Sequence, residues 1–77
     1  MNRKDIFIDQ ANMYSFSQDE NGDFYLEVVS GGFAMEHLVM KLNKDELDRY
    51  SEIGKSYLDS LSIEVVRNKL NYLDRII

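Results

Sequence analysis

Apolar residues alternate with polar ones through the first half of this chain and recur with a helical period through the second. That change of period restricts the architecture to strands first and helices after, an α+β plan. Tyr14 and Phe16 alternate against serines over 13–17. Asp19-Glu20-Asn21-Gly22-Asp23 is a turn cluster, Phe24 to Val29 reads as a second strand, and Gly31-Gly32 begins the return to a third strand ending near Leu42. The expectation is a three-stranded antiparallel β-meander followed by one or two C-terminal helices packed on one sheet face, in a single domain over 1–77.

Side-chain alternation constrains register, because a slip of one residue moves a strand's apolar set to the other face. A five-residue loop over 19–23 sets Leu26 by Phe16 and Val28 by Tyr14. For the second hairpin, a two-residue Gly31-Gly32 turn would place Glu27 opposite Glu36. A three-residue loop, which sets Leu26 against Leu38 and Phe24 against Met40, is preferred. The opposite face then carries Tyr25, Val29, Phe33, Met35 and Val39, interrupted by Ser15, Ser17, Glu27, His37 and Lys41. That face is more apolar than a solvated one needs to be. A partner, a second copy, or the N-terminal Ile6-Phe7-Ile8 folding over it would each account for this.

Helix one should start at Lys44: Asn43 is an N-cap, Glu46 stands three residues on, and Asp45 and Asp48 lie near the positive helix end. Leu47, Tyr50, Gly54, Tyr57, Leu58 and Leu61 form its inward stripe. After Ser60-Leu61-Ser62 the stripe changes phase. Ile63, Val66, Leu70, Leu73 and Ile77 then define a new face, that of a second helix capped by Ser60 or Ser62, although one long bent helix also fits. Val65, Tyr72 and Ile76 add another apolar edge about a third of a turn away, so this helix suits packing on two neighbours.

Seventy-seven residues bury only roughly 60–65% of the surface exposed by the unfolded chain, a marginal core. With no cysteine and no Cys/His cluster, neither disulfide nor structural zinc reinforces it. No apolar run suits a signal peptide or a membrane span, so a cytoplasmic, non-membrane protein is expected.

Charge is the strongest asymmetry. Between Lys4 and Lys41 there is no lysine or arginine, while seven carboxylates (Asp5, Asp9, Asp19, Glu20, Asp23, Glu27 and Glu36) fall there among six aromatics. The net charge of −5 argues against direct nucleic-acid contact, which depends on lysine and arginine displacing counterions. It favours a basic protein partner. Asp19, Glu20, Asp23, Glu27 and Glu36 would then supply steering and charge pairing, with Tyr25 and Phe33 as anchors. Negative surface charge also serves plain solubility.

Candidate chemistry is sparse. Asp19-x-Asn21-x-Asp23 resembles the opening of a calcium loop, but its sixth position is Phe24 and its twelfth Ser30 where a glycine and a bidentate glutamate are needed; a hairpin turn is the better reading. His37, the one histidine, neighbours Glu36, whose side chain points to the other face of a strand. No convergent nucleophile, base and oxyanion donor can be assembled, so a non-enzyme with no cofactor and no metal is expected.

The segment FYLEVVSGGFAMEHLVMKLNKDELDRYSEIGKSYLDSLS, a hairpin running into a capped helix with Glu46, Tyr50 and Gly54, resembles the small immunity proteins of bacterial toxin systems over about residues 24–62. The resemblance implies a protein that neutralises one cognate toxin, often a basic nuclease, through an acidic surface. It assigns no individual binding residue. A homo-oligomeric structural or regulatory subunit, such as a homodimer, is the alternative expectation.

Overall fold

A computed structural model describes residues 3–30 and 36–77, with Ser30 and Glu36 described by their backbone alone. It is α+β: β1 (Arg3–Asp9), β2 (Tyr14–Asp19), β3 (Phe24–Ser30) and β4 (Glu36–Lys41) are followed by α1 (Lys44–Ile53), α2 (Lys55–Arg67) and two 3₁₀ turns, Lys69–Asn71 and Leu73–Arg75. The strands form one antiparallel sheet in the order β1-β2-β3-β4.

The sheet has four strands, not three, because Ile6-Phe7-Ile8 belongs to β1 and pairs beside β2 without crossing the outer face. A bulge between Asp5 and Phe7 hid this strand from the alternation test. Ile6 is the extra residue, and once it is skipped Phe7 faces Phe16 and Ile8 faces Ser15, as period two requires.

The first hairpin has the expected register, Phe16 opposite Leu26 and Tyr14 opposite Val28. In the second, Leu26 meets Met40 and Val28 meets Leu38, two residues from the expected pairing. A slip of two leaves every side chain on its face, so alternation could not separate the registers. The observed one extends two cross-sheet rows, Tyr14–Val28–Leu38 and Phe16–Leu26–Met40. The connection 31–35, including Phe33 and Met35, lies outside the described residues.

Those rows form the sheet half of the core, and Leu58, Leu61 and Val65 of α2 form the other half. Phe16 sits at the centre of an aromatic group, with ring centroids 5.4 Å from Phe24, 5.0 Å from Tyr50 and 5.7 Å from Phe7. Burying such apolar surface is the principal stabilising term in a chain this short.

α1 starts at Lys44 with a complete capping box: Asn43 Oδ1 accepts from the Glu46 amide and Glu46 Oε1 accepts from the Asn43 amide, each at 2.9 Å. The helices divide at Gly54 and not at Ser60–Ser62. Gly54 adopts φ 92°, ψ −157°, a region open essentially to glycine alone, while its amide still bonds the Tyr50 carbonyl. The apolar stripe holds its phase across this break, with Leu47, Tyr50, Tyr57, Leu58 and Leu61 all on the core. Of the two apolar edges expected on the last segment, only one packs on the core. Ile63, Val66, Leu70, Leu73 and Ile77 are exposed, Leu70 by 81%, and Val65, Tyr72 and Ile76 turn inward instead. Ile63 and Val66 face out because α2 keeps the phase of Leu58, Leu61 and Val65 to its end at Arg67, capped by Asn68; beyond it the tighter 3₁₀ turns rotate the chain away from the 3.6-residue period.

Candidate functional site

Both helices pack against one side of the sheet, which leaves the other side as the outer face. Pairing places Asp5, Ser17, Tyr25 and Lys41 in one row across it and Ile8, Ser15, Glu27 and Val39 in the next, with Val29 beside His37 beyond. Glu27 is its electrostatic centre. His37 Nδ1 lies 2.9 Å from one carboxylate oxygen, and the Arg3 guanidinium lies 3.6 Å from the other. Next to this group is a shallow depression of about 370 Å³ lined by residues including Asp5, Ile8, Met13, Glu27, Val29 and His37. Ile8, 61% exposed, contributes apolar surface at its rim.

The β2–β3 turn is built by Asp19. One carboxylate oxygen accepts from the backbone amides of Asn21 and Asp23 at 2.9 and 3.0 Å, and the other accepts the Tyr25 hydroxyl at 2.8 Å. Gly22, at φ 88°, supplies the left-handed conformation the turn needs. Burial pushes the Asp19 carboxyl upward, but the Tyr25 hydroxyl and the two amides outweigh it and hold the acid below its ordinary range. The same bond, aided by burial, raises Tyr25. Arg3 lies over the Tyr25 ring at 5.6 Å.

The seven residues singled out from sequence therefore occupy different situations. Asp19 and Tyr25 are buried and bonded to each other, Tyr25 being only 4% exposed, so both hold the hairpin together. Glu20 is exposed on the turn. Asp23 pairs with Lys41 at 3.3 Å, and Glu27 pairs with Arg3 and His37. Glu36 enters β4 opposite Ser30, its side chain outside the described set, and Phe33 also lies outside it.

The cation-free interval of the sequence is not cation-free in space. β1 brings Arg3 alongside the acidic strands, and β4 ends on Lys41. Even so, the five carboxylates of Asp5, Asp19, Glu20, Asp23 and Glu27 outnumber the permanent cations Arg3 and Lys41 on this face and its turn.

Sequence reasoning missed a second polar group. Lys55, at the start of α2, donates to Asp9 at 2.6 Å and to Asp59 at 2.9 Å, and Tyr14 donates to Asp59 at 2.5 Å. Asp9 also accepts two bonds from Asn12, so the β1–β2 turn is tied to the helix layer. The Lys55–Asp59 spacing of four was the available signal; its links to Asp9 and Tyr14 are set by tertiary structure. Bonded to two carboxylates, Lys55 is held in its charged form and is a clamp, not a nucleophile.

No protein-family model, curated protein or solved structure matches the chain. Among the described residues, no group of three His, Cys, Asp or Glu side chains is arranged to hold a metal ion, and no helix is long and apolar enough to cross a membrane.

Proposed function

We propose that this chain is a small acidic binding protein that docks its outer sheet face on a basic protein partner and inhibits it by occluding its active surface, in the manner of an immunity protein. The observation that supports this reading most directly is the depression on the face opposite the helices, which combines apolar Ile8 and Met13 with the carboxylates of Asp5 and Glu27. Apolar contact provides affinity there, while the excess of carboxylates on the face and its turn steers a cationic partner and fixes orientation. A toxin or nuclease active surface is a suitable target, because proteins that bind nucleic acid carry the lysine and arginine this face would meet. A cytoplasmic setting belongs to the same reading, as the chain contains no cysteine.

Affinity capture from host lysate at low and high salt tests it, with wild type and the double variant Glu20→Lys, Glu27→Lys compared side by side. A single basic protein retained stoichiometrically by wild type, released at high salt and not retained by the folded double variant is the expected result. Equal retention of that protein by both forms would sink the proposal for this face.

A further inference from the structure

The sheet has two edges, and the chain treats them differently. Along β4, Ile76 bridges to Met40 and the Ile77 amide donates to the Val39 carbonyl at 2.9 Å, so the C-terminus shields that edge. Along β1 no described segment pairs with the outer edge, and Ile6 and Ile8 are 47% and 61% exposed there. An edge strand with exposed apolar residues is a template for pairing with another strand.

Charge and side-chain direction together select the occupant. Lys4 pairs with Gln18 and Asp9 with Tyr14, which puts both on the helix-bearing face, while Asp5 and Ile8 pair with Ser17 and Ser15 on the outer face. Residues opposed across a continuous sheet must share a face. For two antiparallel copies of β1, a register with its two-fold axis between Ile6 and Phe7 meets that condition. It sets Lys4 opposite Asp9 of the second copy and Asp5 opposite Ile8 of the second copy, each twice. The opposed Lys4 and Asp9 are complementary in charge, and Ile6 of both copies gathers at the axis. In-register parallel pairing would instead bring Lys4 against Lys4.

We propose that β1 is the seam of a symmetric homodimer in which two copies of this chain join edge to edge, with Lys4 of each facing Asp9 of the other. The two four-stranded sheets become continuous, and their outer faces lie on the same side as one extended surface. The seam uses the sheet's edge and the partner-binding reading uses its face, so either can fail alone. Asp9 remains ionised in this setting, held so by Lys55 and Asn12.

Sedimentation velocity over a concentration series tests the seam, using the full chain and the variants Lys4→Glu, Ile6→Lys and Lys44→Glu, with circular dichroism to establish that each is folded. Wild type should pass from monomer to dimer as concentration rises. Lys4→Glu replaces two attractive cross-strand pairs by two repulsive ones and should raise the dimer dissociation constant roughly tenfold or more. Lys44→Glu makes the same charge change on α1, away from β1, and should match wild type. A monomer at every concentration would overturn the proposal. So would a dimer indifferent to both Lys4→Glu and Ile6→Lys, or one weakened equally by Lys44→Glu.

Discussion

Arg75 grips Glu46 with both terminal nitrogens, at 2.6 and 3.0 Å, while the same carboxylate closes the capping box of α1 through the Asn43 amide. Arg75 also donates to the Lys41 carbonyl at 3.0 Å. One side-chain pair thus fixes a helix start, the end of β4 and the C-terminal segment that shields the β4 edge. Glu46 raises Arg75 above its already high ordinary value, against the opposing effect of burial, so the guanidinium stays charged throughout the accessible pH range.

Arg75→Ala should therefore cost about 1–3 kcal/mol, the range for a partly buried, charge-assisted pair losing one member. Urea denaturation measures the cost. Hydrogen exchange at the Ile77 amide, bonded to Val39, should accelerate more than exchange in β2 or β3. Equal acceleration everywhere would mean that the pair supports global stability without specifically anchoring the C-terminus.

The Lys55 group sets a pH dependence with two limbs. Lys55 first, then Asn12, holds Asp9 well below the usual carboxylate range, and Asp59 is lowered by the Tyr14 hydroxyl and then by Lys55. Both carboxyls are depressed relative to an unfolded value of about 4, so their stabilisation is present above that pH and is lost as pH falls toward the folded values. Tyr14, raised by burial and then by Asp59, and Lys55, raised by Asp9 and then Asp59, act in the opposite sense. Their stabilisation is full below about pH 10 and is lost as pH rises through the folded values. The melting temperature should fall at both extremes. Asp9→Asn should flatten the acid limb and Tyr14→Phe the alkaline limb; profiles parallel to wild type would show that these groups do not control it.

What was legible in the sequence was the part written in side-chain period and local capping. The β2–β3 register, the start of α1 at Asn43 and Lys44, and the stripe from Leu47 to Leu61 follow from such signals. The rest was hidden where backbone geometry departs from the regular period: at the bulge of Ile6, at Gly54, and in the 3₁₀ turns that leave Leu70 and Leu73 at the surface. At the outer face, sequence marked Glu27 and Tyr25 but could not show that Arg3 and Lys41 return beside the acids, because those contacts depend on strand order.

Gly54→Ala measures the helix break. A Cβ there meets no atom within 4 Å, so the expected cost of about 1–3 kcal/mol comes from the backbone conformation and not from a clash. Asn43→Ala, which removes the cap at the other end of α1, should cost about 1 kcal/mol. The discriminating measurement is chemical denaturation of Gly54→Ala; no loss of stability would mean that the chain relaxes into one continuous helix.

Leu58 is fully enclosed, at 0% exposure, on the side of α2 that packs on the sheet. Leu58→Ala should cost about 2–5 kcal/mol through lost transfer energy and the cavity left behind. A domain of this length has a total stability on the order of 4–11 kcal/mol, so the variant is expected near the limit of folding at room temperature. Calorimetry should find either a melting transition lowered by about 8 °C or more, on the scale of about 4–8 °C per kcal/mol, or none. A small shift would mean that the neighbouring side chains collapse into the space.

Tyr25 separates a structural role from a binding role on the outer face. Its hydroxyl caps Asp19 at 2.8 Å beneath the Arg3 guanidinium, and its ring is almost wholly covered. Tyr25→Phe keeps the ring and removes only the donor, leaving one buried oxygen of Asp19 without that bond, so the melting temperature should fall. The Asp19 carboxyl should also titrate closer to its ordinary value, since the Tyr25 hydroxyl is the foremost influence lowering it. Capture of a basic partner, once normalised to folded protein, should not change, because the face that remains exposed is that of Ile8, Glu27 and the turn at Glu20. Loss of capture at an unaltered melting temperature would instead make Tyr25 a contact residue and require the outer face to open around it on binding.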